Sequence, residues 1–362
     1  MDLTPFQPLK LLRYGHEVEA MLRGDLVYPI SVELDLSNTC PHDCPMCSFG
    51  TSESQGYRQQ NWVQFPAPRM LRLLEELAEC GVRSVTFTGG GEPLIHRSAA
   101  ALLEQAQAVG LAYGVVTNGV LLRGAVAEQI ARHATFVRVS LDAGSAETHQ
   151  ITHRTSKLEL HLILDQMQHV RAKADAFGHA LTIGASFCVQ RVNYRELYQA
   201  GQLVKEHGGD YLEVRPTFPT DWRGDGWNDQ LTEEEVEQAR AELIHAQTHL
   251  NDGRFKVIGM IPRFEALPAT YRKPYAQCRI GPLMTVIGAD QALYHCCVQR
   301  GQAAFHLGSL ADRSFAEAWA EAQARQMHTQ IDVTRCPRCR YDGFNTIVQD
   351  VFTRDALHAK FL

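Results

Sequence analysis

Between residues 30 and 215 the chain repeats one rhythm, and that rhythm limits the fold more than any single motif. Short β-rich runs alternate with helical stretches. The runs are ISVELDL (30–36), SVTFT (84–88), YGVVT (113–117), FVRVSL (136–141), LTIGASFCV (181–189) and YLEVR (211–215). Between them, PRMLRLLEELAEC (68–80) opens on proline and sets Met70, Leu73, Leu74 and Leu77 on one helical face. SAAALLEQAQAVG ends on Gly110, a helix-stop signal. Repeated strand–helix units predict a parallel α/β sheet, open or closed into a barrel.

Strands covered by helices on both faces are usually apolar throughout, and these are not. Val137, Val139 and Leu141 oppose Arg138, Ser140 and Asp142. Ile183, Ala185, Phe187 and Val189 oppose Ser186, Cys188 and Gln190. Leu212 and Val214 oppose Tyr211, Glu213 and Arg215; Val32, Leu34 and Leu36 oppose Glu33, Asp35 and Ser37. The apolar set is expected to meet the helices. The polar set then faces a shared interior, which is costly unless wet or liganded. An open sheet with one solvated face is the alternative. The expected fold is α/β: a partial (β/α)6 barrel with a small C-terminal α+β domain and its chemistry at the strands' C-terminal ends.

The 362 residues suit about two domains. We divide them into an N-terminal extension (1–29), the partial barrel (30–215), a connecting loop and helix (216–277, the helix from about 232 to 250) and a cysteine-punctuated domain (278–362). The last shows two short strand-like runs near 284–295, a helix near 314–327 and then CPRC. No apolar run reaches membrane-spanning length and no export signal opens the chain, so no membrane is expected and the cytoplasm is. Net charge of −6 without a dense Lys/Arg block argues against nucleic acid as partner. In a reducing compartment, clustered cysteines favour metal over disulfides.

Cys40, Cys44 and Cys47 fall in SNTCPHDCPMCSFG (37–50), directly after the first strand. Three thiolates suit a [4Fe–4S] cluster with one iron left open, whereas electron carriers normally use four. A zinc knuckle borrowing His42 is the competing reading.

The Cys-x3-Cys-x2-Cys pattern resembles the signature of the radical S-adenosylmethionine (radical SAM) superfamily. The resemblance implies that S-adenosylmethionine chelates the open iron. One electron then cleaves the sulfonium, and a 5′-deoxyadenosyl radical takes a substrate hydrogen. An external one-electron reductant, such as flavodoxin or ferredoxin, is implied as a partner. GGGEP (89–93) resembles the family's Gly-Gly-Glu motif, which makes Gly90, Gly91 and Glu92 candidates for the methionine amino group. TNG (117–119) adds Asn118. SLDAGSAETHQITHR (140–154) resembles the family's fourth-strand motif, with Ser140 near the ribose or carboxylate. Arg154 is either a partner of the methionine carboxylate or a surface arginine, and Asp142 is either a site residue or a helix cap. Ser186 is a further ribose candidate. Met46 stands where the family usually has an aromatic residue; its backbone is expected to meet adenine, with Phe49 compensating.

Cys278, Cys296, Cys336 and Cys339 form a second four-ligand set with Cys297 left over. A strand alternates, so only one of Cys296 and Cys297 can face the metal. The arrangement resembles the C-terminal "twitch" domains of radical enzymes, which hold one auxiliary [4Fe–4S] cluster. The longer SPASM relative, with two, needs more cysteines than remain. A structural zinc ribbon is the competing reading.

The resulting expectation is a radical dehydrogenase that oxidises an alcohol carbon of a small polar molecule such as an aminocyclitol, sugar or nucleoside. Glu213 and Arg215 are the candidates for binding or deprotonating it. Cys188 and Cys297 are possible hydrogen-atom donors if the chemistry is instead redox-neutral: epimerisation, dehydration or decarboxylation. Peptide modification is a third reading. It is expected less, because peptide-modifying enzymes often carry a leader-binding domain and few residues precede the first strand. An iron–sulfur scaffold or electron carrier is the non-enzymatic alternative.

Overall fold

The computed structural model describes residues 7–47, 49, 63–217, 231–259, 272–297, 300–336 and 339–353. Its centre is one ten-stranded sheet in the order β10-β9-β8-β1-β2-β3-β4-β5-β6-β7. The strands are β1 (Ser31–Asp35), β2 (Ser84–Thr88), β3 (Ala112–Thr117), β4 (Phe136–Ser140), β5 (Thr182–Val189), β6 (Tyr211–Pro216), β7 (Lys256–Gly259), β8 (Met284–Ile287), β9 (Ala292–Tyr294) and β10 (His306–Ser309). Pairing is parallel from β8 through β1 to β7, and antiparallel in β8-β9-β10. No pairing joins the two ends, so the barrel is partial and open among the described residues.

The alternation read in the sequence decides the packing. Val32, Leu34 and Leu36, Val137 and Val139, Ile183, Ala185, Phe187 and Val189, and Leu212 and Val214 all enter one apolar core. They meet the crossover helices there, as parallel connections require. In the helix Ala67–Glu79, Met70, Leu73, Leu74 and Leu77 are wholly buried on the face set by their spacing. The helix Ala99–Ala108 stops before Gly110, whose φ of +83° ends the turn at no steric cost. Pro66 and the capping boxes Thr232/Glu235 and Ser314/Glu317 start the helices Ala67–Glu79, Glu233–Leu250 and Phe315–Ala324.

Two features lie outside the sequence expectation. The connecting segment supplies a seventh parallel strand, β7, against β6. The cysteine-punctuated segment continues the same sheet: β8 pairs in parallel with β1, matching Ser31 to Met284 and Leu34 to Ile287. Buried Arg69, paired with half-buried Glu76, holds this junction. Arg69 donates to the carbonyls of Leu310 and Arg313, and Glu76 accepts from the backbone N–H of Phe315 at 2.7 Å. Trp319, fully buried, donates to the carbonyl of Val27 at 2.7 Å.

Candidate active site

The polar faces of the parallel strands converge at their C-terminal ends on a cavity of about 340 Å³. Cys40, Cys44 and Cys47 open on it from the loop after β1, together with Met46 and Phe49. Gly90, Gly91 and Glu92 line it from the loop after β2, and Asn118 from the loop after β3. Ser140 and Asp142 of β4 and the turn after it, Cys188 of β5 and Arg215 of β6 complete the wall.

The glycine loop is moulded onto the cysteine loop. The N–H of Gly91 donates to the carbonyl of Ser37 at 3.1 Å, and that of Glu92 to the carbonyl of Thr39 at 2.7 Å. A Cβ at Gly91 would overlap the carbonyl of Thr39, so the approach requires glycine. Glu92 is buried and holds the next loop: its carboxylate accepts from Thr117 Oγ1 at 2.6 Å and from the N–H of Asn118 at 2.7 Å. Burial pushes its pKa up to about 6, against the lowering effect of those hydrogen bonds. The side-chain amide of Asn118 reaches Cys40 Sγ at 3.9 Å.

Other candidates take different places. Arg154 does not line the cavity. It caps the helix Ala146–His153 with φ +50° and pairs with Asp43 of the cysteine loop at 2.9 Å. Ser186 is buried, and its carbonyl accepts from the N–H groups of Leu141 and Asp142. Glu213 stands behind the wall, paired with Arg138 at 3.0 Å and 3.8 Å from Arg215 Nε. Cys188 and Arg215 are cross-strand partners. Burial, followed by the charge of Asp142, pushes the Cys188 thiol up to about 12, so it remains protonated at neutral pH.

Asp142 is not a helix cap, because Ser145 Oγ performs that role by accepting from the N–H of Thr148. Asp142 instead accepts from the N–H of Cys188 at 2.6 Å, in a left-handed backbone with φ +52°. Burial raises its pKa from 3.8 to about 6. A folded-state pKa above the unfolded one means that folding takes up a proton between about pH 4 and 6. Stability contributed by this group is therefore lost as pH rises through that window. Asp142→Asn should stabilise the cluster-free chain by about 3 kcal/mol at pH 7.5, with the advantage vanishing below pH 4. Urea denaturation at the two pH values checks this; an advantage independent of pH would contradict it.

A cluster of histidines beside the cysteine loop is absent from the sequence reading. His42, His149 and His153 are buried, with rings 4.3–6.3 Å apart. His42 Nε2 meets Glu159 at 2.7 Å, and burial brings His149 down to about pKa 4. His42, Cys44 and His153 offer ligand atoms within 4.8 Å of one another. The i, i+4 spacing of His149 and His153 in ETHQITH was the available signal.

The second cysteine group lies beside β8 and β9. Cys297 and Cys339 pack in one apolar cluster with Ile280 and Leu283. Asn345 Nδ2 reaches Cys278 Sγ at 3.7 Å, and Arg340 Nη2 reaches Cys297 Sγ at 3.5 Å. Burial and then the neighbouring Cys296 raise the Cys297 thiol to about 12, with Cys339 adding to it. The thiols of Cys296, Cys297 and Cys339 thus share one neighbourhood. Cys336 is partly buried, with its Sγ 4.0 Å from the carbonyl of Asp332.

Comparison with known proteins agrees with the two cysteine groups. The radical SAM superfamily model matches residues 34–163, and the SPASM iron–sulfur cluster-binding domain model matches residues 278–340. The chain carries a radical SAM domain and a SPASM iron–sulfur domain. Similar curated proteins include the PqqA peptide cyclase of Xanthomonas campestris pv. campestris (strain B100), 27% identical over 198 residues. That match covers 54% of this chain and 48% of the relative, so the chain spans about half the length of this curated protein. The PqqA peptide cyclase of Granulibacter bethesdensis is 20% identical across 84% of this chain and 77% of its own length. Among solved structures, Streptococcus suis SuiB bound to the precursor peptide SuiA superposes with a TM-score of 0.62 at 15% identity, covering 88% of this chain and 71% of SuiB.

The radical SAM and SPASM domain matches imply S-adenosylmethionine and two [4Fe–4S] clusters as cofactors. The residues at the first cavity fit such a group. Three thiols open on one space beside a glycine loop that admits no side chain, leaving room for a chelating ligand at an iron the protein does not hold. The SPASM-matched region carries only five cysteines, enough for one fully ligated cluster. Among the described residues no helix is long and apolar enough to cross a membrane.

Proposed function

We propose that this radical SAM chain modifies a peptide, joining or oxidising its side chains, and that the small-molecule alcohol expected from the sequence is the second reading. The observation that carries the proposal is the match to the Granulibacter PqqA peptide cyclase, which runs along most of both chains. The likeness to SuiB, solved with its precursor peptide, adds support. Cys40, Cys44 and Cys47 would hold the first cluster, with Gly90, Gly91, Glu92, Asn118 and Ser140 around S-adenosylmethionine. Cys278, Cys336, Cys339 and one of Cys296 and Cys297 would hold the second.

The bound cofactors supply homolytic hydrogen abstraction and take up one electron. The chain's own residues position the substrate and handle its charge. Arg215 presents a cation to the cavity and orients an incoming polar or anionic group. For oxidative bond formation the peptide loses two hydrogens: one leaves in 5′-deoxyadenosine, the other as a proton with an electron to the acceptor. Methionine and 5′-deoxyadenosine form once per bond. Asp142, a buried carboxyl with a pKa of about 6, can receive the proton near neutral pH. A redox-neutral outcome would instead use Cys188, a protonated thiol on the cavity wall, as hydrogen donor, its thiyl radical then regaining the thiol by taking one electron from the external reductant and a solvent proton.

The test is mass spectrometry of the anaerobically reconstituted enzyme with short peptides encoded beside its gene, run in deuterated water. A peptide two mass units lighter supports oxidative modification. An isomer carrying one solvent deuterium that disappears in Cys188→Ala supports the redox-neutral variant. Unchanged peptides together with conversion of an aminocyclitol or sugar to a ketone would overturn the peptide reading.

A further inference from the structure

Two basic residues of the C-terminal segment reach the polar face of β1. Arg300 is 3% exposed. Its guanidinium pairs with Asp35 through Nη1 and with Glu33 through Nη2, the latter at 2.8 Å. Its Nε donates to the carbonyl of Cys297 at 3.3 Å. The guanidinium carbon stands 4.9 Å from the ring centre of Phe49, two residues beyond Cys47. Arg340, next to Cys339, also pairs with Glu33, and the Tyr341 hydroxyl donates to the same carboxylate at 3.4 Å.

Asp35 extends this network toward the cofactor. Its Oδ2 accepts from the N–H of Gly90 at 3.2 Å, in the glycine loop that lines the cavity. A continuous path therefore runs from the backbone of Cys297 through Arg300 and Asp35 to Gly90. A branch runs from Arg300 to Phe49 on the cavity wall. Two carboxylates and two guanidiniums balance in charge. Asp35 and Glu33 are nearly inaccessible to water, so each depends on its partner. Arginine's planar fork holds two carboxylates while stacking on a ring, which lysine's single ammonium does less well.

We propose that Arg300 is a positioning residue that couples the second cysteine group to the S-adenosylmethionine end of the cavity. The C-terminal segment then sets how tightly the cofactor binds. Linkage makes the effect reciprocal: the bound cofactor must hold the segment around Arg300 more firmly. The inference rests on the cofactor assignments and is independent of the peptide substrate.

The test uses the reconstituted full chain. S-adenosylmethionine is titrated by equilibrium dialysis and by the EPR signal of the reduced first cluster. Arg300→Met should retain about eight iron atoms, as expected for two four-iron clusters. It should bind S-adenosylmethionine about tenfold more weakly, a loss of about 1.4 kcal/mol, with a smaller change in the EPR signal on cofactor addition. Arg300→Lys should recover part of the affinity. A second measurement needs no variant. In the wild-type chain, adding S-adenosylmethionine should slow amide hydrogen exchange around Arg300 and in β10. Wild-type binding with an indifferent Arg300→Met, or unchanged exchange at that segment, overturns the coupling alone. A wild-type chain that binds no S-adenosylmethionine overturns the cofactor reading and the coupling with it.

Discussion

Replacing Cys40, Cys44 and Cys47 with alanine should halve the iron of the reconstituted chain, from about eight to about four atoms, and abolish cleavage of S-adenosylmethionine. The three thiols open on one cavity with the glycine loop and Asn118, while the second cysteine group lies beside β8 and β9. Two separate donor sets should load separately. Removing one should leave the other's iron in place, because the first loop contributes no ligand to the second set. The converse variant, with Cys278, Cys336 and Cys339 changed together, should also halve the iron. It should keep some cleavage, since the first donor set is intact. Iron analysis with an assay for 5′-deoxyadenosine checks both. Cleavage that survives loss of the first three cysteines is incompatible with the assignment.

Arg215→Met should lower product formation by about 100-fold or more, the usual scale for removing a fixed charge that orients a reacting group. It should leave both clusters loaded. Arg215 lines the cavity beside its cross-strand partner Cys188, with Glu213 3.8 Å from its Nε. Glu213→Gln should have a smaller effect of the same kind, because it leaves Arg138 and Arg215 without their shared carboxylate. If the guanidinium serves the substrate, S-adenosylmethionine cleavage without product should continue in Arg215→Met. If cleavage falls together with product, the guanidinium serves the cofactor instead. Normal turnover in both variants would remove this face from the site.

The parts legible in the sequence were those encoded locally. Val137 alternating with Arg138, and Leu212 with Glu213, fixed which side of each strand entered the core. That pattern also anticipated that Arg138 and Glu213 share a face, where they form an ion pair. That the three-cysteine loop and GGGEP meet at one cavity was legible because thiol spacing and the glycines that permit close approach are written into adjacent residues.

What escaped was encoded at long range. β7 is only four residues long and has no helix–strand rhythm of its own, so nothing in FKVIG marked it as a sheet member. The pairing of β8 with β1 joins residues some 250 positions apart, and no local pattern specifies that register. Glu33 and Asp35 looked like polar residues in search of water. Their partners, Arg300 and Arg340, stand more than 260 positions away in the cysteine-punctuated segment, and no local pattern pairs them. Arg154 was read in two ways; the left-handed turn at the end of its helix directs it to Asp43. The substrate was least legible, because strand faces reveal charge and cavity walls but not the molecule that approaches them.

The most direct test of the central claim follows the abstracted hydrogen atom. The reconstituted enzyme is given S-adenosylmethionine, a reductant and a candidate precursor peptide whose side chains are fully deuterated, and the 5′-deoxyadenosine formed is weighed. Deuterium in 5′-deoxyadenosine, rising in step with modified peptide, is the predicted result. Unlabelled 5′-deoxyadenosine with every peptide, alongside labelled 5′-deoxyadenosine from a deuterated cyclitol or sugar, would contradict it.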